Sequence, residues 1–123
     1  MFAQNQYELI DFGEGRKLER FGPVILDRPA PAAQGLSRRL QSRWKRADFI
    51  FLEGNQSKSQ WKSKTDLPEP WTITDGRMTW GLKLAEFGHV GVFPEQASNW
   101  DWIAQQVRRA RRPLRVLNLF AYT

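Results

Sequence analysis

The ten residues Trp71-Thr72-Ile73-Thr74-Asp75-Gly76-Arg77-Met78-Thr79-Trp80 constrain this chain more than any other stretch. An Asp-Gly pair between two runs rich in Thr, Ile and Trp predicts a β-hairpin with a two-residue turn. That turn sets Ile73 opposite Met78 and Trp71 opposite Trp80. All four side chains then share one face, which Leu82 and Leu84 extend, while Thr72 and Thr79 share the other. Turn chemistry and a common apolar face agree on one register.

The first forty residues carry similar signals. Tyr7 to Phe12 and Arg16 to Phe21 flank Gly13-Glu14-Gly15, which predicts a three-residue hairpin loop. Ile10 then faces Leu18, and the opposite-charge pairs Glu8/Arg20 and Asp11/Lys17 face each other. Val24-Ile25-Leu26 predicts a further short strand, closed by Arg28-Pro29-Ala30-Pro31, because proline cannot donate within a sheet. Residues 36–47 predict a short basic helix with Leu36, Leu40 and Trp44 at four-residue spacing. Asp48 to Leu52 reads as a strand, 53–70 as a long polar loop, and His89 to Phe93 as another short strand.

Residues 98–112 give the clearest helix. Ser98 and Asp101 resemble a capping box, and Trp100, Ile103, Val107 and Ala110 recur at helical spacing. Arg108, Arg109, Arg111 and Arg112 fill the last turn, where cations meet the carbonyl end of the helix dipole, and Pro113 stops it. Arg115 to Thr123 then reads as the start of a buried parallel strand. A strand of that type, fed by a helix, implies a following α/β domain. The expected class is α+β: a small, mostly antiparallel β domain with hairpins over 1–93, then a helix and a strand over 94–123.

Composition excludes several classes of chemistry. The 123 residues hold no Cys and one His, so disulfide scaffolds, thiol catalysis and Cys- or His-rich metal sites are not expected. No apolar run approaches the ~18 residues of a membrane span, and the first residues lack a signal-peptide pattern. The expected compartment is the cytoplasm, with neither membrane nor metal as partner. The net charge of +6 is unevenly spread: residues 36–65 carry eight basic groups against two acidic, and 101–123 five against one. Such local excess suits a phosphate backbone, and it equally suits plain solubility.

No catalytic constellation is complete. Gly13-Glu14-Gly15 continues as Arg16-Lys17-Leu18, a hairpin rather than a dinucleotide fingerprint, and His89 fits a structural histidine as well as a base. Glu95 and Gln96 can simply lead into the helix. Trp44 and Trp61 sit among Arg and Lys, a mixture that can stack bases while it neutralises phosphates. The alternative for Trp44 is burial beneath a basic surface. The RNA-contact candidates are Arg38, Arg39, Arg43, Trp44, Lys45, Arg46, Lys58, Lys62 and Lys64.

Three blocks together resemble a known family: Phe87-Gly88-His89-Val90-Gly91-Val92-Phe93-Pro94-Glu95-Gln96-Ala97, Asn99-Trp100-Asp101-Trp102-Ile103, and Val116-Leu117-Asn118-Leu119-Phe120-Ala121-Tyr122-Thr123. They are similar to class I SAM-dependent methyltransferases, in particular the group allied to bacterial 23S rRNA large-subunit cytosine and guanine methyltransferases. Tyr7 to Gly13 and Leu26 to Pro29 resemble that group's N-terminal extension. The resemblance implies that 94–123 is the first helix and strand of a truncated Rossmann-like domain. It also implies S-adenosyl-L-methionine (SAM) as methyl donor and RNA, ribosomal RNA in particular, as partner. Phe93, Glu95, Gln96, Phe120, Tyr122 and Thr123 match its cofactor-proximal motifs. In that family a Gly-Gly pair follows the Asn-Leu-Phe-Ala-Tyr-Thr block and approaches the SAM carboxylate. The pair, the ribose-binding acid and the catalytic groups are not among these residues. The expectation is therefore the front portion of a methyltransferase that attacks the sulfonium methyl, inactive alone. The rival expectation is a stand-alone, non-enzymatic β module that binds RNA or protein.

Overall fold

A computed structural model describes residues 1–54 and 60–119. Two compact units form, one over Phe2–Pro94 and a second from Glu95 onward that also includes Met1. In the first, strands β1 (Tyr7–Gly13), β2 (Arg16–Phe21), β3 (Val24–Pro29), β4 (Phe49–Leu52) and β5 (Gln60–Ser63) form one sheet in chain order. All neighbours are antiparallel except β3 and β4. That parallel step needs a crossover, and residues 30–48 supply it, including the one-turn helix α1 (Gln41–Trp44). A second, two-stranded sheet pairs β6 (Thr72–Thr74) with β7 (Thr79–Gly81).

Both faces of the five-stranded sheet are covered. Strand alternation sends Leu18, Ile25 and Ile50 to one face, where Trp44 and Ala47 pack with Ile10. The other face carries Phe21, Val24, Leu26, Phe49 and Phe51, all buried. Against it lie the β6–β7 hairpin and the segment after it. The Trp71 ring meets Phe21 edge-on at 6.5 Å, and its indole donates to the Phe21 carbonyl. Gly88 sits on Phe51, where a Cβ would come within 3.1 Å of the ring.

Several expectations change in register. Between β1 and β2 the loop is the two residues Glu14-Gly15, both at positive φ (56° and 73°), as a type I′ turn requires. The extra residue goes into a bulge at Ile10, so Asp11 faces Leu18 and Phe12 faces Lys17; Glu8 faces Arg20 as expected. The hairpin at 71–81 exists, but Ile73 faces Trp80 and Thr74 faces Thr79 across a four-residue loop. The Asp75 carboxylate causes this, because it accepts from the amides of Arg77 (2.9 Å) and Met78 (3.0 Å) and holds both residues out of the ladder. Trp71, Ile73, Trp80 and Leu82 still share a face; Met78 leaves it and is exposed.

Other differences concern extent. The basic helix shrinks to Gln41–Trp44, with Leu36 and Leu40 exposed, because residues 36–40 bind β1 through backbone groups instead. β3 runs on to Pro29 and buries Arg28. The expected polar loop contains β5. His89 to Phe93 is not a strand; two backbone bonds, Lys83 to Val90 and Ala85 to His89, fold it back on 83–85.

A 3-10 turn at Pro94–Gln96 leads from the first unit into the second, where helix α2 spans Ala97–Ala110. Ser98 lies inside the helix and makes no cap; Gln96 is the cap residue, and its side-chain oxygen accepts from Asn99. Arg111 ends the helix in a left-handed conformation. Residues 114–119 are irregular and exposed, where a strand was expected. Phe120 to Thr123 lie outside the described residues.

Candidate nucleic-acid interface

The basic segment is held to the sheet by one buried carboxylate. Asp11 Oδ2 accepts from the Leu40 amide and the Trp44 indole, both at 2.8 Å, and Oδ1 from the Arg39 amide at 3.3 Å. Burial works to raise the pKa of Asp11. The bonds from Trp44, Leu40, Arg39 and Phe12 outweigh it and hold the carboxyl below its ordinary value. The charged form therefore fastens α1 to β1. The Glu14 amide adds a bond to the Leu36 carbonyl at 2.7 Å.

Trp44 is consequently a core residue, 6% exposed, with the Arg38 guanidinium 3.9 Å above its ring. Its expected role as a base-stacking surface gives way to the alternative of burial under a basic layer, since no ring face is free. Trp61 is likewise committed. It pairs across the sheet with Phe51, ring to ring at 5.1 Å, and donates to the Ala85 carbonyl.

The cations divide into used and unused. Arg38 lies against Trp44, with Nε 3.1 Å from Glu14 Oε2, an ion pair not aligned as a hydrogen bond. Lys64 Nζ donates to the Lys45 carbonyl, which ties the end of β5 to α1. Arg39, Arg43, Lys45, Arg46 and Lys62 are exposed. Lys62 faces Ile50 across the β4–β5 ladder and so stands on the sheet face that α1 covers. Arg43 borders an open cleft with Gln4, Asn5, Glu8 and Arg20. The structure thus brings the α1 and β5 cations to one side of the sheet. Lys58 lies outside the described residues.

The opposite face holds a buried polar network. Glu19 accepts from Arg28, which also donates to the Gly88 carbonyl and lies over the Phe21 ring. Tyr7 and Lys17 complete its partners. On the face that α1 covers, level with Leu18 and Ile50, Asp27 pairs with Arg16, whose guanidinium reaches the Phe51 carbonyl. Burial pushes the Asp27 carboxyl up despite that pairing. Every polar group here is engaged within the fold, so the network is structural.

Of the cofactor candidates, Phe93 is 37% exposed and lies obliquely on His89 at 5.6 Å. Glu95 and Gln96 stand exposed on the 3-10 turn, with the Gln96 amide oxygen taken by Asn99. Exposed as they are, these residues do not enclose a nucleoside. Among the described residues no cluster of His, Asp or Glu could hold a metal, and no helix is long and apolar enough to cross a membrane.

No family model matches the chain, and no curated protein matches it. Among solved structures it is similar to the SAM-dependent methyltransferase from Agrobacterium tumefaciens, with 36% sequence identity and a TM-score of 0.82. The match covers 98% of this chain and 38% of that one. Over nearly its whole length, the chain is therefore similar to a part of a SAM-dependent methyltransferase.

Proposed function

We propose that this chain is the RNA-holding β portion of a SAM-dependent methyltransferase that acts on RNA, ribosomal RNA in particular. In isolation it neither transfers methyl groups nor binds SAM. The observation that carries this reading is the similarity at 36% identity to a SAM-dependent methyltransferase more than twice as long. The side chains support the RNA half: Arg39, Arg43, Lys45, Arg46 and Lys62 project from one side of the sheet, where a polyanion could contact several at once. With ribosomal RNA as substrate, the compartment that this reading implies is the cytoplasm.

A stand-alone module is the rival. Against it stands the surface of the second unit: Trp102, Ile103 and Val107 on α2 are 62%, 47% and 46% exposed, and Val116, Leu117 and Leu119 more than 65%. So many large apolar side chains exposed in one short unit favour a covering layer, such as an α/β methyltransferase domain supplies. Parallel equilibrium titrations with SAM and with a ribosomal RNA fragment test the proposal. RNA binding without SAM binding is expected. SAM binding at about micromolar affinity would contradict it.

A further inference from the structure

We infer that the cleft at the β1 edge of the sheet, floored by Phe12 and Leu36 and flanked by Arg39, is a nucleobase subsite for single-stranded RNA. This rests on the RNA reading above and names where a base, rather than the backbone, is held. The cleft has a volume of about 310 Å³ and is lined by Asp11, Phe12, Leu36, Ser37, Arg38 and Arg39. That volume suits one small planar group.

The lining chemistry narrows the occupant. Phe12 and Leu36 are 44% and 49% exposed, although each adjoins residues fixed to the sheet. Asp11 contributes no free carboxylate, because both oxygens accept bonds from Arg39, Leu40 and Trp44. Arg38 is spent on Trp44 and Glu14. The Arg39 side chain is exposed and makes no ion pair among the described residues. What faces outward is an apolar floor with an aromatic ring and one uncommitted guanidinium. A base can lie on the first while its phosphate meets the second. The adjoining run 36–46, with five basic groups and no acidic one, favours a polyanion over a peptide as the source of that planar group.

The cleft is also built to keep its shape. The Glu14 amide bonds to the Leu36 carbonyl, and Asp11 fixes the next turn through the amides of residues 39 and 40. Gly13 lets the two segments touch: at φ +153° a Cβ there would lie 2.6 Å from the Arg38 nitrogen and 2.7 Å from the Ser37 carbonyl carbon. A preformed site loses little entropy when its ligand arrives.

The test measures fluorescence anisotropy of the full chain with a labelled single-stranded oligoribonucleotide of about ten nucleotides and with its abasic counterpart, at about 50 mM salt. The wild type should prefer the base-bearing strand by about tenfold. Phe12→Ala should abolish that preference, and Phe12→Trp should keep it. Arg39→Gln should weaken both strands alike. If Phe12→Ala retains the preference while the wild type binds RNA, the subsite is wrong and the RNA reading stands. If the wild type binds neither strand, both fall and the cleft is left to a protein partner.

Discussion

Asp11 and Trp44, 33 positions apart in the chain, meet where the indole Nε1 donates to the carboxylate at 2.8 Å. That bond joins the edge strand β1 to the crossover between β3 and β4, and it decides what the basic segment can offer a ligand. With the indole turned inward, the cations above it form a layer fastened to the sheet. Asp11→Ala leaves the buried indole and two part-buried amides without their acceptor, and should cost about 2–4 kcal/mol in urea unfolding. Trp44→Phe keeps the ring and removes only the donor, so about 1 kcal/mol is expected. Equal losses in the two variants would show that the bond has no special role.

Acid should act on the two buried aspartates with opposite signs. Asp11 has a lowered pKa in the folded state, so its stabilising contribution is present above the unfolded value and is lost as pH falls through the folded one. Asp27 has a raised pKa, so its ionised form is the costly one, and protonation relieves the fold as pH falls. Urea midpoints between about pH 6 and pH 2 should therefore fall less steeply for Asp11→Asn than for the wild type. They should fall more steeply for Asp27→Asn. In the exposed loop, NMR titration should find Asp75 with a pKa of about 2, held there by the amides of Met78 and Arg77 and by the Arg77 guanidinium.

Glu19 and Arg28 form a buried pair whose removal should depend on which half is removed. Arg28→Met leaves Glu19 to Tyr7 and Lys17 alone and should destabilise by about 3 kcal/mol. Adding Glu19→Gln should restore part of that loss, because a buried charge without its partner is the main penalty. Chemical unfolding of the two single variants and the double variant measures the recovery.

The location of turns was legible in the sequence, and their registers were not. Asp-Gly and Gly-Glu-Gly mark the hairpins correctly, since positive φ and side-chain-to-amide bonds belong to those residue types. Whether a loop takes two or four residues depends on where Asp75 sends its two oxygens, and whether a bulge forms at Ile10 depends on what β1 packs against. β5 was invisible because Gln60-Trp61-Lys62-Ser63 has no apolar alternation. It exists because β4 offers a free edge. At the candidate interface, the charge of 36–65 was legible in the sequence, and the inward placement of its two Trp rings was not. Trp44 and Trp61 are committed inward, while Phe12 stays exposed beside Arg39. The tight approach of Gly13 to residues 37 and 38 is likewise something no sequence spacing reports.

The exposed face of α2 carries its own consequence. The chain should self-associate in a concentration-dependent way, because Trp102, Ile103 and Val107 present apolar surface to water. Ile103→Glu with Val107→Glu should shift sedimentation toward the monomer. The same change should leave the unfolding free energy of the Phe2–Pro94 unit within about 0.5 kcal/mol of wild type. A lowered free energy would mean that these residues support the β unit.

The central claim, that the cation-rich side of the sheet holds RNA, is tested most directly by the salt dependence of affinity for a ribosomal RNA fragment. If about four of the exposed cations neutralise phosphates, log K should fall against log salt with a slope near −3. Changing Arg43 and Lys62 to Gln together should flatten that slope by about 1.4. Binding that ignores salt, or no binding at about 50 mM salt, would contradict the account and leave the charge with a role in solubility alone.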